Sequence, residues 1–304
     1  RFFKRIYTFL AYAICSCWFA LTQKADVVIA SSGPITVGIP GLLARYLRKR
    51  TLVFETRDLW PDGAIELGLI KNPLIINVAY WFEKQCYIAS SLVVALSPGM
   101  RERIVCKYNH PNVIDVTNAA NITLFKTPQI FEGKNVISPK KYAIYTGNIG
   151  MVNNSLWLLE AAKILQHRGR TDIKILIIGD GQQRGIIEKE IHDQKLETLI
   201  VWGLIPKEKL VALVQCAMVS LVPLKGTPVL DTSSPNKFFE SLAAGVPVIQ
   251  NTQGWMKKFI EENDVGFTLD PGSPSALADL LIRLDKNPTQ LKEMGLRAAD
   301  IAAK

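Results

Sequence analysis

A lysine and a glutamate lie three residues apart in the segment Ser233–Ile249 (SSPNKFFESLAAGVPVI), a spacing that could bind a nucleotide diphosphate. A serine and a proline precede the lysine, as at many helix starts, and Gly245 is typical of a helix end. Lys237 would then lie in the first turn, where backbone N–H groups also bind phosphate. Glu240 would lie on the same face, where its carboxylate can accept hydrogen bonds from ribose hydroxyls. On spacing alone, an ordinary surface pair of lysine and glutamate explains the pattern equally well.

Short apolar runs rich in β-branched residues alternate with longer amphipathic runs along the chain. Continuous apolar runs are typical of parallel strands covered on both faces, and their alternation with helices predicts α/β domains. The predicted strands are Asp26–Ala30, Thr51–Glu55, Leu92–Leu96, Val113–Val116, Tyr142–Thr146, Ile173–Ile178, Leu199–Trp202, Met218–Val222, Val246–Gln250 and Val265–Leu269. A stretch with prolines and a glycine interrupts the alternation, which predicts domains at residues 1–125 and 142–304 joined by a linker at 126–141.

The two predicted domains differ in completeness. Six predicted strands fall in residues 142–304, enough for a complete doubly wound domain, whereas four fall in residues 1–125. The chain also begins at Arg1 without a methionine. We therefore expect the N-terminal domain to be incomplete and the natural N terminus to be missing.

Composition and charge narrow the expected partners. The five cysteines are scattered and form no CxxC pair, so neither a disulfide framework nor a zinc site is predicted, and a reducing compartment is expected. The excess positive charge lies in residues 1–150, which hold 18 Lys and Arg against 9 Asp and Glu. Such a field favours an anionic membrane surface or a phosphorylated substrate, although a generally basic soluble surface explains it too. No known nucleic-acid-binding motif is present, so nucleic acid is not an expected partner.

An apolar run of 16 residues, Ile6–Leu21, follows Arg1, Lys4 and Arg5. It is shorter than the about 20 residues that a spanning helix needs. Its order of charged and then apolar residues is that of a signal peptide, but no small-residue cleavage site follows. Three interpretations stay open: a helix packed in a domain with one face on a membrane, a membrane anchor, and a signal peptide. The basic run Arg45–Arg50 is compatible with a membrane surface or with a solvated helix end.

The segment around Lys237 resembles the signature of the family-4 (group 1) retaining glycosyltransferases, in which proline-x-Lys-x-x-Glu and then alanine-glycine-x-proline-valine precede a strand. Three further stretches fall in the family order: TNAANITLF at Thr117–Phe125, YTGNIG at Tyr145–Gly150 and IIGDGQQR at Ile177–Arg184. RDLWPD at Arg57–Asp62 is similar to a subgroup that transfers amino sugars to lipid-linked acceptors for bacterial surface polysaccharides. The resemblance covers nearly the whole chain and implies the GT-B fold, with two Rossmann-like doubly wound domains facing a cleft.

The resemblance also implies roles for individual residues. Lys237 would contact the donor diphosphate and Glu240 the ribose. The other expected donor-binding residues are Gly147, Asn148 and Gly150 in the first glycine turn, Gly179 and Asp180 near the base, and Thr232 and Ser233 near the sugar. Arg57 and Asp58 are, with Lys237, the candidate catalytic groups. Arg57 stands near a position where members often carry a histidine; it would stabilise negative charge, although an ordinary ion pair explains it equally.

Four residues mark departures from the family pattern. Thr232 replaces a glutamate that commonly precedes the ribose glutamate by eight residues, and Asp231 is one residue out of step with it. Asn148 and Asn153 stand near positions where many members carry an arginine and a lysine that bind phosphate. The lysine of the helix would therefore provide a larger share of the phosphate binding.

The resemblance implies a retaining, metal-independent glycosyltransferase whose co-substrate is a nucleotide-diphosphate sugar and which has no other cofactor. The expected donor is UDP-linked and carries an N-acetylated hexosamine type of sugar, and the expected acceptor is a lipid-linked saccharide. The basic first half and the apolar run predict a cytoplasmic enzyme at the inner face of the plasma membrane. Two alternatives stay open: a GT-B sugar-nucleotide 2-epimerase, and a truncated, non-catalytic module that binds a nucleotide sugar.

Overall fold

Ten parallel strands form two sheets in the residues that this computed structural model describes, 2–129 and 137–304. Contacts within the chain define two compact units. Unit 1 contains residues 1–117 and 232–234, and unit 2 contains residues 118–231 and 235–304. Each sheet belongs to one unit, as expected for two Rossmann-like domains.

Unit 1 holds a four-stranded sheet in the order β1-β2-β3-β4. Its strands are β1 (Val27–Ser32), β2 (Thr51–Thr56), β3 (Leu92–Ala95) and β4 (Val113–Asp115), and its helices are α1 (Phe2–Thr22), α2 (Gly38–Arg48), α3 (Asp62–Glu66), α4 (Pro73–Ala89) and α5 (Pro98–Tyr108). Asn72 and Ser97 begin α4 and α5, because each side chain accepts a hydrogen bond from a backbone N–H group of the first turn. A proline follows each cap, as is common at the first helical position.

Unit 2 holds a six-stranded sheet in the order β10-β9-β8-β5-β6-β7. Its strands are β5 (Tyr142–Thr146), β6 (Lys174–Ile178), β7 (Leu199–Trp202), β8 (Val219–Val222), β9 (Val248–Gln250) and β10 (Gly266–Thr268). Its α-helices are α6 (Ile122–Lys126), α7 (Ser155–His167), α8 (Arg184–Asp193), α9 (Lys207–Cys216), α10 (Asn236–Ala243), α11 (Trp255–Asn263), α12 (Pro274–Asp285) and α13 (Pro288–Ala302). The strand order reverses at β5, which pairs with β6 on one side and β8 on the other. Loops diverge at such a switch point and leave a crevice for ligands.

The structure confirms all ten predicted strands and their parallel direction. The predicted and observed boundaries agree closely, and the strand Tyr142–Thr146 is recovered without any shift. Its residues from Tyr142 to Tyr145 are fully buried, which explains why the strand reads as a continuous apolar run.

The segment after β4 packs on unit 2. Phe125 of α6 is fully buried in a cluster with Val211 of α9 and Ala243 of α10. The Gln215 side chain also donates to the carbonyl oxygen of Phe125 at 2.7 Å. The observed division therefore falls after Thr117, whereas the boundary read from the sequence fell after residue 125. The physical reason is one buried aromatic side chain, whose partners lie far along the chain. Residues 130–136 of the predicted linker lie outside the described residues.

The apolar run at the start of the chain forms α1 and packs against α2. Arg50 fixes the end of this helix by donating hydrogen bonds to the carbonyl oxygens of Ala20, at 2.6 Å, and Gln23. Several apolar side chains of α1 stay exposed, among them Ile14 and Trp18. Among the described residues no helix combines the length and the apolar character needed to cross a membrane.

Candidate functional site

Lys237 lies in the first turn of α10, and its ammonium group reaches the turn that follows β5. Its Nζ lies 4.0 Å from the centroid of the Tyr145 ring, a cation–π distance, and 3.3 Å from Oδ1 of Asn153. Gly147 is adjacent, since a β-carbon built at that glycine would lie 3.1 Å from Nζ. The lysine therefore extends across the carboxyl end of β5, where parallel α/β sheets bind ligands.

The partners of this ammonium group are neutral. Burial lowers the pKa of Lys237 to about 7, and the carboxylate of Glu240, one turn along the helix, opposes that shift. No salt bridge of Lys237 is found within residues 2–129 and 137–304. An anion bound beside Nζ would supply the countercharge and raise the pKa of the lysine.

Two glycine turns, one after β5 and one after β6, pack against each other beside Lys237. Gly147 and Gly179 adopt positive φ angles of 136° and 152°. The N–H of Gly147 donates to the carbonyl oxygen of Ile178 at 2.9 Å. A β-carbon at Gly179 would lie only 1.8 Å from the carbonyl oxygen of Gly147. Glycine at 179 is therefore required by both the backbone angle and the close approach of the two turns.

The other predicted residues of these turns have different surroundings. Asn148 has an exposed side chain, and its carbonyl oxygen accepts a hydrogen bond from the Tyr145 hydroxyl at 2.7 Å. Gly150 has extended backbone with φ of −153°, which any residue adopts. Asp180 is exposed and accepts a hydrogen bond from the N–H of Gly181 at 2.8 Å. Asp180 thus stabilises its own turn while its side chain remains accessible to a ligand.

Glu240 has a partner other than Lys237. Its Oε1 accepts a hydrogen bond from Nζ of Lys207, at the start of α9, over 3.0 Å. The Glu240 side chain is 20% exposed. The simple surface pair of Lys237 and Glu240, which the spacing alone also allowed, is not what the described residues show.

The residues just before α10 group with unit 1. Thr232 ends a short 3-10 turn, Leu230–Thr232, and is buried, whereas Ser233 is partly exposed. Asp231 belongs to unit 2, and its Oδ1 accepts a hydrogen bond from the N–H of Gln253 at 2.8 Å. The carboxylate that is one residue out of step with the family's glutamate therefore holds the loop that follows β9.

Arg57 and Asp58 follow β2 in unit 1, and both side chains are exposed. The N–H of Arg57 donates to Oγ of Ser32 at 3.0 Å, which ties this loop to the end of β1. Desolvation by the surrounding protein raises the pKa of Asp58, and the neighbouring Arg57 guanidinium partly offsets that rise. In the part of the chain that the structure describes, Arg57 has no salt bridge, so the ordinary ion pair is not observed.

A buried charge network lies on helices that follow this loop in the chain and contains Asp62, to which the sequence assigns no firm role. Asp62 and Glu83 are 6% and 2% exposed. Nζ of Lys107 lies 3.3 Å from Oδ1 of Asp62 and 3.0 Å from Oε2 of Glu83. Arg103 contacts Asp62 at 3.3 Å, and the Tyr108 hydroxyl donates to Glu83. The network joins α3, α4 and α5, which gives Asp62 a structural role.

Sequence reasoning did not assign two residues that the structure places at the site of unit 2. Tyr145 supports the Lys237 ammonium, but its ring reads in the sequence as part of a buried strand. Lys207 binds Glu240 from a different helix, 33 residues earlier in the chain. A lysine after a proline at a helix start carries no signal of that contact, so only the folded chain identifies it.

Two family models match this chain and together follow the two-unit division. The model described as "Glycosyl transferase 4-like domain" matches residues 6–118, and the model described as "Glycosyl transferases group 1" matches residues 140–287. The second match includes the glycine turns, Lys237, Glu240 and Lys207.

Two curated relatives are similar at low identity. A probable glycosyltransferase, WbjE of Pseudomonas aeruginosa, is 23% identical over 277 residues, covering 85% of this chain and 66% of that protein. The alpha-D-kanosaminyltransferase of Streptomyces kanamyceticus is 23% identical over 172 residues, covering 55% of this chain and 42% of that enzyme. The chain thus spans less than two thirds of the length of these relatives.

A solved structure establishes the fold independently. HepE of Anabaena, in complex with UDP, matches with a TM-score of 0.72 at 16% identity, covering 96% of this chain and 76% of that one. At 16% identity this structural similarity supports the fold and nothing further. Each unit is thus matched by its own glycosyltransferase family model, and both sheets are matched by a GT-B structure, so this chain has two Rossmann-like domains of the GT-B type.

Proposed function

We propose that this chain binds a nucleoside diphosphate sugar in unit 2 and serves in transfer of that sugar to an acceptor hydroxyl. One observation carries the proposal: the Lys237 ammonium is partly buried on Tyr145 in the first turn of α10 and lacks a salt bridge within the described residues. Ammonium and free N–H groups at a helix start form an anion site. A diphosphate fits that site in charge and in position at the end of β5.

The proposed chemistry needs positive charge more than it needs an acid or a base from the protein. The bond between C1 of the sugar and the diphosphate oxygen breaks, and its electron pair stays on the diphosphate. The acceptor oxygen bonds to C1, and its proton passes to an oxygen of the departing diphosphate. Lys237 stabilises the charge that develops on the leaving group, as fixed donors do in other active sites. In this proposal the reaction retains the anomeric configuration and uses no metal ion, and Arg57 and Asp58 remain candidate groups on unit 1.

The proposed donor is a UDP sugar of the N-acetylated hexosamine type. HepE has been solved with UDP and with UDP-glucose, and the relative from Streptomyces kanamyceticus is named as a transferase of kanosamine, an amino sugar. The Glu240 carboxylate would accept hydrogen bonds from the ribose, and Gly179 and Asp180 would lie near the base. Comparing the thermal shifts produced by UDP-, GDP- and dTDP-sugars tests this choice. Stabilisation by GDP- or dTDP-sugars alone would exclude UDP as the nucleotide of the donor.

Donor binding should take up a proton at pH 8. The pKa of Lys237 is lowered to about 7, so the free lysine is mostly neutral at pH 8, and a bound diphosphate raises that pKa. We expect an uptake approaching one proton per UDP at pH 8 and little uptake by this group at pH 6, where the lysine is already charged. Calorimetry in buffers of different ionisation enthalpy measures the uptake. At pH 8 the UDP phosphate is already deprotonated, because its pKa is about 6, so the phosphate itself does not account for the uptake. An uptake at pH 8 that persists in Lys237→Met would contradict the assignment.

We further propose that the acceptor is lipid-linked and that unit 1 lies on the inner face of the plasma membrane. Ile14 and Trp18 are 69% and 68% exposed, four residues apart on α1, and Phe19 is 58% exposed. A cavity lined by Lys24, Arg48 and other residues lies where the ends of α1 and α2 meet. Exposed aromatic side chains beside basic ones favour the interface of an anionic membrane.

Replacing Trp18 and Phe19 together by serine should weaken binding to vesicles about fivefold or more, because the variant lacks both aromatic rings that would insert into the membrane interface. Co-sedimentation with vesicles of phosphatidylcholine and phosphatidylserine measures the effect. The matched control replaces Ile186 and Leu296, two exposed apolar residues of unit 2, by serine and should leave sedimentation unchanged. Equal losses in both double variants, or no binding by the unmodified chain, would contradict the membrane proposal.

A further inference from the structure

The ion pair of Lys207 and Glu240 joins two helices of unit 2. Lys207 is the first residue of α9, and Glu240 lies one turn after Lys237 on α10. Nζ of Lys207 lies 3.0 Å from Oε1 of Glu240. In this pair Lys207 is largely exposed and Glu240 only 20% exposed, and a pair that solvent reaches in this way typically adds less than about 1 kcal/mol to stability.

Lys207 is held on a second side by an aromatic ring. Its Nζ lies 5.5 Å from the centroid of the Phe125 ring, within cation–π range. Phe125 is itself fully buried against Val211 and Ala243, so the ring has a fixed place between α6, α9 and α10. The long lysine side chain is therefore anchored at its charged end by both a carboxylate and a ring.

The Glu240 carboxylate is consequently oriented from one side. Lys207 occupies Oε1, and within the described residues no hydrogen bond is found for Oε2. The lysine thereby fixes the rotation of a half-buried acidic group and leaves one oxygen for a ligand. Fixing a flexible side chain before binding removes an ordering cost of about 0.5–1.5 kcal/mol, which corresponds to about 2- to 13-fold in affinity.

We propose that Lys207 is a positioning residue that orients Glu240 for the ribose and thereby sets the preference of this chain for ribonucleotide over deoxyribonucleotide donors. This inference rests on the proposed function of unit 2. It requires no direct contact of Lys207 with the ligand. Its effect should therefore depend on Glu240 and on the ribose hydroxyls, and not on the diphosphate.

The test compares calorimetric affinities for UDP and for its 2′-deoxy and 3′-deoxy analogues in Lys207→Met, Glu240→Gln and the double variant. We expect Lys207→Met to weaken UDP binding about 2- to 13-fold and to weaken the binding of at least one deoxy analogue less, so the ratio of the two affinities falls. In the Glu240→Gln background the Lys207 substitution should add no further loss. Lys189→Met, at an exposed lysine of α8, is the matched control and should keep both affinities.

The outcomes separate the inference from the function on which it rests. Equal weakening of UDP and both deoxy analogues in Lys207→Met would indicate a direct electrostatic effect and overturn the positioning role. The ratio of the UDP affinity to the deoxy-analogue affinity could stay unchanged in Lys207→Met but change in Glu240→Gln. That result would overturn the role of Lys207 while leaving the donor site intact. No binding of UDP by the unmodified chain would overturn the proposed donor, and the role of Lys207 with it.

Discussion

Replacing Lys237 by methionine should weaken UDP binding by about 10- to 150-fold, which is the expected result for removing a charge-assisted hydrogen bond of about 1.5–3 kcal/mol. The ammonium lies at the carboxyl end of β5 and has only neutral hydrogen-bonding and ring partners among the described residues. Methionine keeps the length and apolar stem of the side chain but provides no donor. Calorimetry with UDP measures the affinity, and transfer activity should fall further if the ammonium also stabilises the leaving diphosphate.

The fold of this variant should not suffer. The pKa of Lys237 is lowered to about 7 in the folded chain, below the ordinary lysine value of 10.5, so the folded state binds this proton less readily than the unfolded state. The contribution of Lys237 to stability therefore rises with pH between about 7 and 10.5 and is unfavourable near neutrality. Lys237→Met should accordingly be at least as stable as the unmodified chain at pH 6.

A matched substitution separates the loss of this charge from the loss of any charge. Lys258 lies on α11 with a side chain that is 78% exposed, and Lys258→Met should leave the UDP affinity unchanged. If Lys237→Met is folded and binds UDP as tightly as Lys258→Met, the assignment of the diphosphate to the first turn of α10 is wrong.

The strands could be predicted from the sequence because their chemistry is local. Buried parallel strands need apolar, β-branched residues in unbroken runs, and a strand such as Tyr142–Thr146 satisfies this by itself. The unit boundary could not be predicted as closely. Phe125 joins unit 2 through Val211 and Ala243, residues that lie more than eighty positions away in the chain. No local sequence pattern indicates which domain an isolated aromatic residue will contact.

The site shows the same division between local and distant information. The proline before Lys237 and the glycine after it indicate a helix start at this position, although Pro235, rather than the serine before it, lies at the N-cap of α10 and no side chain there caps the helix. The ring partner of the lysine, Tyr145, and the partner of Glu240, Lys207, come from other elements and meet only in the folded sheet. The sequence therefore indicates which groups are candidates for anion binding, whereas the packing decides which partners hold the Lys237 ammonium and the Glu240 carboxylate.

Replacing Lys107 by methionine should lower the free energy of unfolding by about 3 kcal/mol, near the low end of the about 3–5 kcal/mol seen when one partner of a buried pair is removed. Lys107 bridges two carboxylates, Asp62 and Glu83, that are almost fully buried. Burial raises the pKa of Glu83, while the Tyr108 hydrogen bond and the lysine hold it down. Arg103 still contacts Asp62 in the variant, which is why we expect the smaller effect.

Urea unfolding of the unmodified chain and of Lys107→Met measures the loss, and Lys84→Met, at an exposed lysine of α4, is the matched control. The pH dependence of this stability loss tests its electrostatic cause. Once Lys107 is removed, the pKa of Glu83 should rise further, so acidification should protonate this carboxyl group and restore part of the lost stability. A loss equal to that of Lys84→Met, or one that does not shrink towards low pH, would show that the Lys107 ammonium does not stabilise these two buried carboxyl groups.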